Sequence, residues 1–200
     1  SRFPHFSLRP IKSDRRLGKL LDQALGHPSP AGRLSVLLVD STGSIAPEDQ
    51  ALYKQAAEQL VARQEHGDHC VIGSIADRPV SRFLLDADVS VPTRVGKRFE
   101  DEAQLRTIRK NLRETASRLV DSPARANGSY ILDSLEALKP LLDSARKENQ
   151  SIRFVLPTDG IEETPEINLA RADFQASRQL LQNRKARLPN LSGTEIFMVG

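Results

Sequence analysis

The chain has no tryptophan, one methionine and one cysteine among its 200 residues. The lone thiol, Cys70, excludes an intramolecular disulfide framework and any zinc site built from several thiolates. It lies in an apolar run, His69 to Ile75, which reads as a small buried side chain rather than a nucleophile. Aromatic residues are sparse, seven Phe and two Tyr, too few to build a platform on which bases stack. Neither sign of charge dominates. Lys and Arg number 29 against 26 Asp and Glu, a net charge of +3. They are mixed along the chain as on a solvated surface, not gathered into a nucleic-acid-binding stripe. No run of about twenty apolar residues exists to span a bilayer as a helix. The phosphate-binding pattern Gly-x-x-x-x-Gly-Lys-Ser/Thr, the elbow Gly-x-Ser-x-Gly and the zinc helix His-Glu-x-x-His are all missing. His66 and His69 are close in sequence, but Gly67 and Asp68 between them predict a helix-ending turn, not a metal pair. The Asn-x-Ser sequons at Asn127, Asn149 and Asn190 are at the level of chance.

What is present suits one globular domain. The length is sufficient to bury a core, and 38% of residues are hydrophobic. Residues 1–32 are expected to form an N-terminal extension. It begins irregularly around Pro4 and Pro10, then carries a short helix with Leu17, Leu20, Leu21, Ala24 and Leu25 on one face, capped by Ser13 or Asp14. The start, Ser1-Arg2-Phe3-Pro4, is expected to be a trimmed or processed terminus.

From residue 33 to 200 the pattern alternates. Leu34–Val39 is short and almost wholly apolar, as a parallel strand buried on both faces should be. A helix opens at Pro47, with Leu52, Ala56 and Leu60 as its inner face and Gly67 ending it. Strands over His69–Ala76 and Arg82–Leu85 flank the turn Asp77-Arg78-Pro79 and predict an antiparallel edge hairpin. Residues 87–97 read as a loop, and 99–120 as a helix with Leu105, Ile108, Leu112 and Leu119 in a stripe. A further helix begins near Ser129, with Ile131, Leu132, Leu135 and Leu138, and Pro140 is expected to kink or split it. A strand over Ile152–Leu156, a helix over 170–187 and a strand over Glu195–Val199 complete the set. The fold class is therefore α/β: an open, mostly parallel, doubly wound sheet with helices on both faces and one antiparallel hairpin at its edge.

Three distant segments carry side-chain oxygen at element ends: Asp40-Ser41-Thr42-Gly43-Ser44, Asn127-Gly128-Ser129 and Thr158-Asp159-Gly160. In open α/β sheets, ligands bind beyond the carboxyl ends of the strands, where strand order reverses. Neighbouring strands would bring Asp40 and Asp159 together there, with Ser129 reaching the same point from a helix start. Residues 40, 42 and 44 alternate, so Asp40, Thr42 and Ser44 converge while Ser41 points away. Oxygen alone suits a hard dication: Mg²⁺, or Mn²⁺ or Ca²⁺ in its place. Each segment has an ordinary reading as well. Asp-Ser-Thr-Gly-Ser and Asp159-Gly160 are common turns, and Ser44 and Ser129 are good helix caps. Their joint order and placement favour the metal site.

These residues resemble those of the von Willebrand factor type A domain, the fold shared with integrin inserted domains. That family's metal-ion-dependent adhesion site pairs an Asp-x-Ser-x-Ser loop with a distant Thr and a distant Asp. By position, Asp40, Thr42 and Ser44 match the loop, Ser129 matches the Thr, and Asp159 matches the final Asp. The ending Gly193-Thr194-Glu195-Ile196-Phe197-Met198-Val199-Gly200 is similar to the strand that follows in the family, so the likeness covers about residues 33–200. Thr42 replaces the usual Ser and Ser129 the usual Thr, and both keep the hydroxyl. Pro157 removes a backbone donor before Thr158 and is expected to bend the loop. The family's C-terminal helix, which in some members moves to switch affinity, is expected to be lacking here. The resemblance implies binding without turnover: a metal-dependent adhesion or assembly module whose cation accepts a carboxylate from a partner protein. It implies no nucleic acid and no insertion into a membrane. Glu162 and Glu163 stand near enough to tune the site's charge but read as solvated loop residues. Arg-rich, Lys-poor helices and the family likeness suggest a bacterial chain, and an exported one, with a cytoplasmic location left open.

Two rival functions remain. A Mg²⁺-dependent phosphatase of the haloacid dehalogenase type also ends a first strand in Asp, with a second acid two residues later. Here that position is Thr42, which does no acid/base work at neutral pH. The other rival is a structural module of the same fold with a vestigial site.

Overall fold

A computed structural model of the protein describes residues 32–40, 47–75, 83, 85–121, 128–158, 160, 164 and 174–199. The expected helix at 13–25, the turn at 77–79 and the start of the expected strand at Arg82 lie outside these residues. Strand β1, Arg33–Asp40, is buried along almost its whole length. Its alternate residues serve two cores, as the period of two in a strand requires. Leu37 and Val39 face one core, and Leu34, Val36 and Leu38 the other. That is why the segment is continuously apolar.

Helix α1, Pro47–Ala62, follows and packs on the first core. Its inner face differs from the expected stripe. Leu52 is 48% exposed, whereas Tyr53, Ala57, Leu60 and Val61 are buried. Leu60 belongs to both stripes and Ala56 still packs against the core; a rotation of about one residue adds the bulky Tyr53 and the branched Val61. Strand β2, His69–Ile75, pairs in parallel with β1, and strand β3, Leu85–Ser90, pairs antiparallel with β2. The antiparallel pair is thus present, but the first four residues of the expected loop, 87–90, belong to the strand, and only 91–97 are irregular. Asp86 and Asp88 disguise it, because carboxylates are depleted from strands. They are its solvent face, while Leu85, Ala87 and Val89 are half-buried. The register shifts between Ile72 and Gly73, where Gly73 faces Leu85 and Ile72 faces Ala87. This bulge reverses the alternation, so Leu85 packs in the second core and Ala87 and Val89 in the first.

Helix α2, Arg98–Asp121, buries Leu112, Ala116 and Val120 beside α1. Helix α3, Ile131–Lys147, covers the opposite face with Leu138, Leu142 and Ala145. It runs through Pro140 as one element, so the proline does not split it. Pro140 is exposed, and the buried Leu138 and Leu142 on either side hold both halves to the sheet. Strand β4, Ser151–Pro157, lies parallel to β1 on the side away from β2. Helix α4, Phe174–Arg184, and strand β5, Glu195–Val199, complete the described elements, with β5 parallel to β4. Pro157 does not bend the chain out of the sheet: it pairs with Val199, and the next N–H, on Thr158, donates to the Val199 carbonyl at 2.9 Å.

The sheet order is β3-β2-β1-β4-β5. The fold is an α/β open sheet of five strands, mostly parallel with one antiparallel pair, and helices on both faces. Strand order runs one way from β1 to β3 and the other way through β4 and β5. The reversal falls between β1 and β4, so the crevice that such sheets use for ligands opens at the carboxyl ends of those two strands. Among the described residues no helix is long and apolar enough to cross a membrane.

Candidate functional site

Asp40 is the last residue of β1, and it stands at the reversal point. The β1–β4 ladder sets Leu37 opposite Val155. Three further steps along both strands carry 37 to 40 and 155 to 158, which levels Asp40 with Thr158. The Thr158 hydroxyl donates to Asp40 Oδ2 at 2.8 Å. From the other side, the Ser129 hydroxyl shares its proton between Asp40 Oδ2 at 3.1 Å and Oδ1 at 3.3 Å. Side chains separated by 89 and 118 residues in sequence therefore meet on one carboxylate. All three are buried: Asp40 is 2%, Thr158 2% and Ser129 4% exposed.

Local structure fixes each donor. Ser129 lies two residues before α3 begins at Ile131, and the N-cap position of that helix is Tyr130, whose side chain makes no capping hydrogen bond. The Ser129 proton is aimed at Asp40 rather than at the helix. Thr158 is held by the β5 backbone through its own N–H. Its hydroxyl oxygen also accepts the Gly160 N–H at 3.1 Å. Gly160 has φ of +77°, a left-handed conformation that glycine adopts without penalty. A Cβ there would stand 3.2 Å from the Met198 Cε, so space is short as well.

Of the expected site residues, Asp40 and Ser129 are thus in direct contact. Thr42, Ser44 and Asp159 lie outside the described residues, as do Glu162 and Glu163. Thr158 was not among the expected ligands. Its signal was a hydroxyl directly after an apolar strand, at the end of the sheet where ligands bind.

The donor chemistry fits a hard cation. Asp40, Ser129 and Thr158 offer oxygen only, with no imidazole or thiolate among them. A threonine hydroxyl has one proton and two lone pairs. Thr158 gives the proton to Asp40 and one lone pair to Gly160, so one lone pair is left for a metal. Donation to Asp40 and coordination to a cation are compatible, and the carboxylate then orients the hydroxyl and raises its basicity. Among the described residues no group of three or more His, Cys, Asp or Glu side chains is placed to hold a metal. Any metal centre there rests on hydroxyls with few formal charges.

Among the described residues, the two histidines lie at the far end of the sheet and the cysteine in the core. The His66 ring bonds the Pro92 carbonyl at 2.8 Å, and the His69 ring bonds Asp88 at 2.6 Å. The two imidazoles have separate partners. Burial, reinforced by the nearby Asp68 charge, pushes the Cys70 thiol up to about 12, which leaves it protonated and inert. Asp68 is raised by burial too, although it accepts the Arg33 and Glu65 backbone N–H groups at 3.0 and 2.8 Å. It ties the start of β1 to the turn before β2. No protein-family model matches the chain, and a search of curated proteins finds no significant match.

Proposed function

We propose that the chain is a divalent-cation-dependent protein-binding module of the von Willebrand factor type A kind, and that it is not an enzyme. One observation carries this reading: the hydroxyls of Ser129 and Thr158 converge on the buried carboxylate of Asp40 at the reversal point of the sheet. Chain connectivity sets Asp159 next to Thr158, and Thr42 and Ser44 two and four residues beyond Asp40. The strand order supports the same reading, because it makes β1 and β4 neighbours. A bound Mg²⁺ would supply a Lewis-acidic position able to accept a partner's carboxylate. Asp40 orients the two hydroxyls through their protons, and Thr158 keeps a lone pair toward the cation. Ligation mainly by neutral oxygens leaves much of the ion's charge for an acidic partner.

Burial argues against phosphoryl transfer. A nucleophilic carboxylate has to reach its substrate, whereas Asp40 is 2% exposed and accepts two hydroxyl protons. The residue two places on, Thr42, carries a hydroxyl that does not serve as a general acid or base at neutral pH.

The test is capture on immobilised protein. Wild type in Mg²⁺ is expected to retain partner proteins that EDTA releases, and an Asp40→Ala column to retain none of them. Retention that ignores both EDTA and Asp40→Ala removes the metal bridge from the mechanism. Hydrolysis of a generic phosphate ester, lost in Asp40→Asn, would establish the phosphatase reading instead.

A further inference from the structure

We propose that Arg184 is a positioning residue for the Ser129 hydroxyl, acting through Asp133 and the first turn of α3. The inference rests on the metal-site reading above. One edge of α3 is fastened along its length to the chain between residues 184 and 194. Arg184 pairs with Asp133. Arg187 Nε bonds Glu136 Oε1 at 2.6 Å, Lys139 Nζ donates to the Leu188 carbonyl at 3.4 Å, and Arg146 Nη2 donates to the Ser192 carbonyl at 2.9 Å. Positions 133, 136 and 139 are three apart and 146 is seven further, spacings that share one helix face.

The pair nearest the site is the most enclosed. The Arg184 and Asp133 side chains are 13% and 10% exposed, whereas Arg187 is 57% exposed. A buried ion pair holds its geometry firmly, because separating the partners leaves a charge without compensation in a poorly solvated place. Asp133 is four residues after Ser129 and sits in the first turn of α3. The Ser129 bonds to Asp40, at 3.1 and 3.3 Å, are longer than the usual O–H···O distance of about 2.7–2.8 Å. A small displacement of the start of α3 therefore decides whether that hydroxyl is held. The far clamp, at Arg146, is thirteen residues beyond Asp133 and fixes only the other end of the helix.

The experiment compares Mg²⁺ and Mn²⁺ affinity by calorimetry in wild type, Arg184→Met, Arg184→Lys, Arg146→Met and Asp40→Ala, with thermal unfolding of each without metal. Loss of a group that orients a ligand weakens metal binding by about tenfold or more. Arg184→Met is expected to show a loss of about tenfold, Arg184→Lys to recover most of it, and Arg146→Met to keep wild-type affinity even where its melting temperature falls as far. If Arg184→Met does not fold, Asp133→Asn takes its place with the same expected loss. Equal affinity in Arg184→Met and wild type, or an equal loss in Arg146→Met, overturns the inference while leaving the metal site standing, provided Asp40→Ala abolishes binding. A wild type that binds neither ion overturns both.

Discussion

Thr158 does three jobs with one side chain and one amide. Its N–H closes the β4–β5 ladder, its hydroxyl proton solvates Asp40, and its hydroxyl oxygen receives the Gly160 N–H. Thr158→Val keeps the shape and removes the last two. The change should cost about 1–3 kcal/mol in urea unfolding, because a buried acceptor and a backbone donor both lose their partner. It should also weaken Mn²⁺ binding. Unchanged stability together with unchanged Mn²⁺ affinity would remove Thr158 from the site. The expectation that Asp40 and Ser129, both at element ends, come together is met by their direct contact. Thr158 was harder to see because attention falls on the charged Asp159 beside it, and a threonine after a strand is a common way to start a turn. What sets the Thr158 hydroxyl against Asp40 is the register of two strands whose pairing no local pattern encodes.

Among the elements, those driven by burial were the most legible. β1 and β4 are apolar on both faces and lie within a residue or two of their expected limits. β5 spans the expected residues. β3 was misplaced because an edge strand needs only one apolar face, and its Asp86 and Asp88 imitate a loop. Pro140 does not split α3. A proline in a helix interior removes one hydrogen bond and costs about 3 kcal/mol, yet α3 stays whole because Leu138, Leu142 and Ala145 bind it to the sheet. Pro140→Ala restores the missing N–H at an exposed position. It is expected to raise the free energy of unfolding by about 1–3 kcal/mol. A decrease would mean that packing of α3 depends on the proline itself.

For the molecule as a whole, the strand order is what turns scattered polar residues into one place. A sheet ordered β3-β2-β1-β4-β5 makes the ends of β1 and β4 adjacent and lets the residue before α3 reach them. The alternation of strands and helices foretold such a sheet. It did not foretell which donors would touch, since that depends on the axial position of α3 and hence on side chains such as Asp133 and Arg184. A cation that binds only the folded chain stabilises it by mass action, by about 2.7 kcal/mol at a hundred times its dissociation constant. Thermal unfolding with Mg²⁺ titrated into wild type, Asp40→Ala and Asp159→Ala measures this directly. The melting temperature of wild type should climb with Mg²⁺ concentration while both variants stay flat. A wild type indifferent to the ion, or variants that climb just as far, would contradict the proposed metal site.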